Sequence, residues 1–306
     1  LQAHIDMVPQ ANADTQHDFT KDPIDAYIDG EWVTARGTTL GADNGMGMAG
    51  CLAVLADKTI KHGPLEVLLT TDEETGMTGA FGLEAGWLEG EILLNTDSEE
   101  DGEVYMGCAG GGDANIRFPL ELVAATEGEG VELQVKGLRG GHSGVDIHRG
   151  RGNANKLLVR LLKAAEPLGV RLAEISGGTL RNAIPREARA TLLVPTASVS
   201  EFKALVDRYA GIYQSELAAT EANLTVLLNG RDTPAKLMSE SLQTRLLDAL
   251  VACPNGVMRM SDAIPGVTET STNLGVIKTL EGEVYVQCLI RSLIDSGRES
   301  VEQMTR

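Results

Sequence analysis

The chain is poor in positive charge. Lys and Arg total 26 against 44 Asp and Glu, a formal net charge of -18 over 306 residues. Nucleic-acid and anionic-membrane surfaces are bound by basic residues meeting phosphates, so this balance excludes both as principal partners and points to small metabolites or peptides. Long hydrophobic runs are missing too. No stretch approaches the ~18 continuous apolar residues a membrane helix needs, and no charged, apolar, small-residue leader is apparent. The default compartment is therefore the cytoplasm. Cysteine is sparse: Cys51, Cys108, Cys253 and Cys288 are dispersed without a C-x-x-C pair and read as reduced structural thiols. His17, His62 and His148 sit in polar loops and read as surface residues. The glycine runs Gly110 to Gly112 and Gly177-Gly178 lack the strand-turn-helix setting of a phosphate cradle, so nucleotide binding is not expected.

What is present is enough for a substantial core. At 42% hydrophobic and 306 residues, the chain is long enough for about two domains. Residues 1–110 alternate strand and helix signals. Ala26 to Ile28 and Glu31 to Ala35 flank the hairpin turn Asp29-Gly30. Gly45 to Leu55 reads as a helix of small residues and Met, with Asn44 as its cap. Leu65 to Thr70 and Ile92 to Asn95 read as short buried strands, with a helical stretch from Gly79 to Trp87 between them. Gly107 to Gly112 then marks a hinge or domain crossing. Beyond it, Val131 to Lys136 and Ala188 to Leu193 alternate as half-exposed strands, while Asn155 to Ala165 and Glu201 to Leu217 carry helical spacing. The expectation is an α/β layer over 1–110 and an α+β domain over 111–306, the second being a sheet with helices on one face.

Four acidic signatures lie in the first hundred residues: His4-Ile5-Asp6, Gly41-Ala42-Asp43-Asn44-Gly45, Thr71-Asp72-Glu73-Glu74-Thr75-Gly76 and Asn95-Thr96-Asp97-Ser98. Taken singly, each has a plain reading. H-x-D fits a structural histidine, Asp72-Glu73-Glu74 a solvated acidic loop, and Asp43 and Asp97 caps or turns. Taken together they bring one imidazole and several carboxylates to one sheet edge, where repulsion raises carboxylate pKa values unless cations sit among them. A metal site is the economical explanation. In a strand His4 and Asp6 share a face, so Asp6 can hold the imidazole from behind. Glu73 and Glu74 point in different directions, which allows one to bind metal while the other stays free as a general base. In the second half, His142 stands between glycines in Gly140-Gly141-His142-Ser143-Gly144, a place where backbone approaches a ligand or where a loop simply turns.

The order His4-x-Asp6, Asp43, Glu73-Glu74, Asp97 resembles the M20 family of di-zinc peptidases, and within it the cytosolic aminoacyl-histidine dipeptidases. The matching stretches are Leu1 to Gln10, Ala35 to Gly45, Gly63 to Leu83, Asn95 to Gly111, Gly137 to Leu162, Gly177 to Glu187, Val267 to Gly275 and Cys288 to Gly297. The resemblance implies a zinc-peptidase-type mixed sheet flanked by helices, here incomplete, followed by an α+β lid and dimerisation domain that makes a homodimer. It implies two zinc ions, with cobalt or manganese as substitutes. His4 and Asp97 would be terminal ligands of one, Asp43 the bridging carboxylate and Glu74 a ligand of the other. Asp6 would be the partner behind the imidazole and Glu73 the general base. His142 would reach the substrate carbonyl oxygen, and Asn182 and Arg291 would hold the substrate, Arg291 through its carboxylate. Their plain readings are a loop histidine, a turn amide and a strand-edge charge.

The implied activity is hydrolysis of dipeptides with a free amino terminus, of the Xaa-His or β-Ala-His type. Two alternatives stand beside it: an N-acyl amino acid deacylase of the same family, and a non-catalytic metal-stabilised binding or dimerisation module. The sequence also departs from the family pattern. Strands and helices expected before the H-x-D strand are absent, and no histidine follows Arg291 to complete the second zinc. The expectation is a piece of a longer protein, with the second metal held weakly.

Overall fold

Strand signals in the first hundred residues converge on one short parallel frame. The computed structural model describes residues 1–12, 15–98, 102–105 and 107–306, which separate into two units, Leu1–Met106 and Gly107–Arg306. Of the stretch Asn95 to Gly111 that carries part of the family resemblance, Glu99, Glu100, Asp101 and Met106 lie outside the described residues.

The first unit contains β1 (Gln2–His4), β2 (Ala26–Asp29), β3 (Trp32–Ala35), α1 (Ala42–Ala56), β4 (Leu68–Thr70) and α2 (Thr78–Phe81). β1 pairs in parallel with β4, placing His4 opposite Thr70. On its other side it meets Asn95 through a parallel bridge at Gln2, where the Gln2 N–H donates to Leu94 O at 2.9 Å and the Thr96 N–H to Gln2 O at 2.9 Å. Asp6, Glu73-Glu74 and Asp97 therefore leave the carboxyl ends of three parallel segments, the edge where open α/β sheets present their ligand sites. β2 and β3 form the expected hairpin, turning through Gly30 at φ 63.

Several local expectations are cut short. Ile92 to Asn95 contributes a bridge rather than a strand; Ile92, Leu93 and Leu94 are 81%, 60% and 58% exposed, so no neighbouring layer rewards extended pairing. The helix expected from Gly79 to Trp87 is only the single turn α2. Phe81 and Trp87 stay exposed, and without a buried face a short helix does not offset its nucleation cost. α1 forms as expected, but Asn44 does not cap it: among the described residues no side-chain hydrogen bond closes its start, and Asp43 and Asn44 have non-helical backbone angles.

The second unit contains β5 (Gly110–Pro119), β6 (Leu122–Ala124), β7 (Glu129–Lys136), β8 (Gly141–His142), α3 (Ala154–Ala165), β9 (Arg171–Gly177), β10 (Ala183–Ile184), β11 (Ala188–Val194), α4 (Val199–Glu216), β12 (Thr225–Gly230), β13 (Lys236–Met238), α5 (Glu240–Ala252), β14 (Gly256–Met260), β15 (Thr268–Leu280), β16 (Glu283–Ser292) and α6 (Asp295–Thr305). Eight strands make one sheet in the order β12-β7-β11-β9-β15-β16-β5, with β14 also on β15. Every pairing in it is antiparallel. The alternation read from the sequence is realised in β7, where Val131, Leu133 and Val135 are buried and Glu132, Gln134 and Lys136 are not.

Helices α3, α4 and α5 cover the apolar face. Leu158 and Leu161 of α3, Phe202 and Tyr213 of α4 and Leu242 and Leu246 of α5 join Leu133, Leu172 and Ile277 in one buried cluster. Each such side chain contributes about 1.5–3 kcal/mol on removal from water, so this layer anchors the unit. Asn153 caps α3 by accepting the Lys156 N–H at 3.2 Å. The glycine-rich stretch read as a hinge or domain crossing starts where the second unit begins, at Gly107, and its Gly110 to Gly112 open β5, opposite Ser292, Arg291 and Ile290. At Gly112 a Cβ would lie 2.7 Å from Glu302 Oε1 of α6, so that side chain would have to shift.

Candidate metal centre

In the first unit His4 is buried to 3% exposure at the end of β1. Its Nδ1 lies 3.0 Å from the Asp6 carbonyl oxygen. A carbonyl only accepts, so this contact puts the imidazole proton on Nδ1 and leaves the Nε2 lone pair free. Asp43 Oδ1 lies 3.1 Å from Nε2, Asp97 Oδ1 3.3 Å and Glu73 Oε2 4.0 Å. A nitrogen lone pair among carboxylate oxygens requires either a second proton on the ring or a cation between the groups. His4, Asp43 and Glu74 each offer a ligand atom, all within 4.8 Å of one another.

The electrostatics show the same crowding. Burial, then Asp43 and Glu73, push the Glu74 carboxyl up to about 7. Glu73 is raised by burial and by Asp97, and Asp43 by burial and Asp97, His4 opposing in both cases. For His4, burial disfavours the charged ring but is outweighed by Asp97, Asp43 and Glu73, so its pKa is raised. Imidazole nitrogen and carboxylate oxygens are donors suited to zinc and neighbouring divalent ions, and a cation here relieves both the repulsion and the misdirected lone pair. The residues present fit a metal.

Asp6 is placed differently from the simple picture of a carboxylate behind the ring. Its Oδ1 lies 3.5 Å from His4 Nδ1, but its oxygens also accept the Glu73 N–H at 3.1 Å and the Glu74 N–H at 3.2 Å. Those two donors outweigh burial and hold the Asp6 carboxyl below the usual range. Asp6 thus fixes the loop that carries both glutamates.

Asn44 was missed as a site residue because its position beside a helix start reads as a cap. It is buried to 3%, and its amide donates to Thr96 O at 3.3 Å and to the Asp97 carboxylate. Gly47, one turn further on, admits this arrangement: a Cβ there would come within 2.7 Å of Thr96 O and would strike the Asn44 side chain.

The second unit groups other candidates. His142 ends β8 and lies opposite Ala183 of β10. Arg291 Nη2 lies 3.3 Å from His142 Nε2 and the Val145 N–H 3.3 Å from Nδ1; a neutral imidazole has one acceptor nitrogen, so the ring accepts from one of them and keeps its own proton on the other nitrogen. Packing around the ring and the Arg291 charge hold the His142 pKa below the ordinary imidazole value. Arg291 Nε is buried and has no hydrogen-bond partner among the described residues. Asn182 stands just before β10, its carbonyl accepting the Ser143 N–H at 2.7 Å. Arg181 is engaged with Asp113 at 2.7 Å.

Glu221 gave no signal in the sequence, where it is one acid in a polar turn. It is buried to 3%, and accepts the Arg139 N–H at 2.8 Å and the Gly152 N–H at 2.7 Å. One carboxylate thereby ties together both stems of the loop that carries His142. Of the remaining histidines, His62 and His148 are exposed as expected, whereas His17 is half-buried with its ring edge-on to Phe19.

Comparison with known proteins assigns the class. The family described as Peptidase family M20/M25/M40 matches residues 1–280, and the chain belongs to it. Among individual relatives, it is 58% identical over 307 residues to the cytosol non-specific dipeptidase of Escherichia coli (strain K12), covering 99% of this chain and 63% of that protein. Among solved structures, it superposes with a TM-score of 0.71 on the aminoacylhistidine dipeptidase from Vibrio alginolyticus, at 60% identity, covering 99% of this chain and 62% of that one. The likeness bears out the mixed α/β fold class. The chain spans about three fifths of the length of these two relatives.

Proposed function

We propose that this chain carries most of the active site of a metal-dependent dipeptidase acting on dipeptides with a free amino terminus. One observation supports it above the others: Nε2 of buried His4 lies 3.1 and 3.3 Å from carboxylate oxygens of Asp43 and Asp97, an arrangement suited to a cation. The names of the two relatives support the substrate class, as both are dipeptidases. His4 and Asp97 would hold one zinc, Asp43 would bridge and Glu74 would serve the second. Bound there, the ions supply Lewis acidity, which makes hydroxide available near neutral pH and polarises the scissile carbonyl.

The chain's own residues do the rest. Glu73 is the general base: its carboxylate takes a proton from the attacking water and passes it to the leaving amine. Asp6 holds the Glu73-Glu74 backbone so that both carboxylates keep their aim. In the second unit, His142 donates to the substrate carbonyl oxygen, Asn182 hydrogen-bonds the peptide, and Arg291 pairs with the terminal carboxylate. That unit, residues 111–306, serves as lid and homodimer surface, and the protein works in the cytoplasm.

The test compares free and N-acetylated dipeptides, β-Ala-His and Ala-His among them, with zinc content measured in parallel. Hydrolysis of the free forms alone, lost by about 10²–10⁴-fold in Glu73→Gln while zinc is retained, is the expected result. Preference for the N-acetylated forms would assign a deacylase. A Glu73→Gln protein with undiminished hydrolysis would refute Glu73 as the base.

A further inference from the structure

Cys253 and Cys288 stand far apart in the sequence, yet their Sγ atoms lie 3.6 Å apart in the second unit. Cys253 closes α5, its N–H donating to Ala249 O at 2.8 Å. Cys288 lies in the middle of β16, fully buried, between Leu274 on β15 and Ala114 on β5. The two thiols are not equivalent. Cys253 is half-buried and packs against the core, whereas Cys288 is fully buried within it.

A cation sits beside the pair. Lys156 of α3 turns its ammonium onto the last carbonyls of α5, donating to Leu250 O at 2.8 Å, Val251 O at 2.9 Å and Cys253 O at 2.8 Å. It thereby holds its ammonium at the chain segment that carries the outer thiol, with burial lowering its own pKa. The hydrogen bond from Cys288, with the Lys156 charge, lowers the Cys253 pKa below the ordinary thiol value despite burial; sharing that bond and burial raise Cys288. An outer thiol favoured as thiolate with an inner thiol in contact is the arrangement of an oxidisable and a resolving cysteine.

We propose that Cys253 and Cys288 form a reversible disulfide in response to hydroperoxides, a modification site separate from the acidic cluster of the first unit. In the first step the Cys253 thiolate attacks the terminal oxygen of a hydroperoxide: an S–O bond forms, the O–O bond breaks, and the departing alkoxide or hydroxide takes up a proton. Sulfur is oxidised to the sulfenic acid and the peroxide is reduced to alcohol or water. In the second, Cys288 sulfur attacks Cys253 sulfur. The S–S bond forms, the S–O bond breaks, and the Cys288 proton leaves with the hydroxyl as water. A dithiol reductant reverses the change by thiol exchange. The cross-link pins the end of α5 to β16, three residues before Arg291.

The experiment treats the zinc-loaded chain with hydrogen peroxide, alkylates the remaining thiols and maps them by mass spectrometry. The expected result is loss of two of the four thiols, a Cys253–Cys288 linked peptide about 2 Da lighter than its reduced halves, and return of both thiols with dithiothreitol. Cys288→Ala should stop the reaction at the Cys253 sulfenic acid, trapped by dimedone. Cys253→Ser should leave Cys288 unreacted. Exposed Cys108 is an internal competitor. Oxidation at Cys108 with Cys253 and Cys288 both still alkylated overturns the proposal, as does sulfenic acid at Cys253 that persists in the parent chain without linkage. Normal melting of both variants excludes misfolding as the cause, and linkage in the parent chain needs neither variant.

Discussion

Changing Asp6 to Asn separates holding the imidazole from holding the acidic loop. The Asp6 carboxylate accepts one N–H from Glu73 and one from Glu74, at 3.1 and 3.2 Å. An amide of the same shape offers one oxygen and one NH₂ group, so one of the two backbone donors would meet another donor. A hydrogen bond to a charged acceptor contributes about 1.5–3 kcal/mol. At a factor of ten per roughly 1.4 kcal/mol, its loss weakens any equilibrium that needs the loop in place by about 10- to 100-fold. Asp6 is 26% exposed, so water takes over part of that role and the lower end of the range applies. Zinc binding is such an equilibrium, because Glu74 rides on the loop. The assay is competition for zinc between the protein and a chromophoric chelator, with parent and Asp6→Asn side by side. The variant should bind zinc about tenfold more weakly while its second unit melts unchanged. Zinc affinity equal to that of the parent would refute the role given to Asp6.

Three further outcomes follow from the same geometry. Gly47→Ala should also weaken zinc binding, since the added methyl displaces Asn44 and Thr96 and through them Asp97; calorimetric titration with zinc checks it. Glu221→Gln leaves the Arg139 or Gly152 N–H without its acceptor and should cost about 1–3 kcal/mol, read from urea unfolding, together with a higher KM as the His142 loop loosens. Glu74 binds its proton more tightly in the folded, metal-free chain than in the unfolded one, its pKa rising from 4.5 to about 7. The stability it contributes is therefore present below about pH 4.5 and is lost as pH rises through about 7. Metal-free protein should melt lower at pH 8 than at pH 5, and zinc, replacing the proton, should shrink that difference; an unchanged difference with zinc would count against the cluster as its origin.

The acidic signatures could be read from the sequence because those of Asp6, Glu73-Glu74 and Asp97 end apolar runs, and a run of that kind sets its next residues at a sheet edge, whereas Asp43 stands at the start of a helix. The alternation in Val131 to Lys136 and the helical spacing of Asn155 to Ala165 were equally readable, since both periods are local properties of the chain. Local signals misled where burial was lacking. Ile92 to Leu94 and Gly79 to Trp87 carry strand and helix patterns, yet their apolar side chains remain in solvent and the elements shrink to a bridge and a single turn.

Residue types and their order along the chain were enough to define the class: one imidazole, four spaced acidic motifs and an acidic charge balance. The partners of those residues were decided only in three dimensions. Asn44 reaches Asp97 instead of capping its helix, Asp6 serves the backbone of two glutamates as well as a ring, and Glu221 joins two distant loop stems. Cys253 and Cys288 become neighbours in the same way. Periodicity tells which face a side chain occupies, but hydrogen bonds between residues tens of positions apart depend on how the strands pair and the helices pack, and no local pattern encodes that.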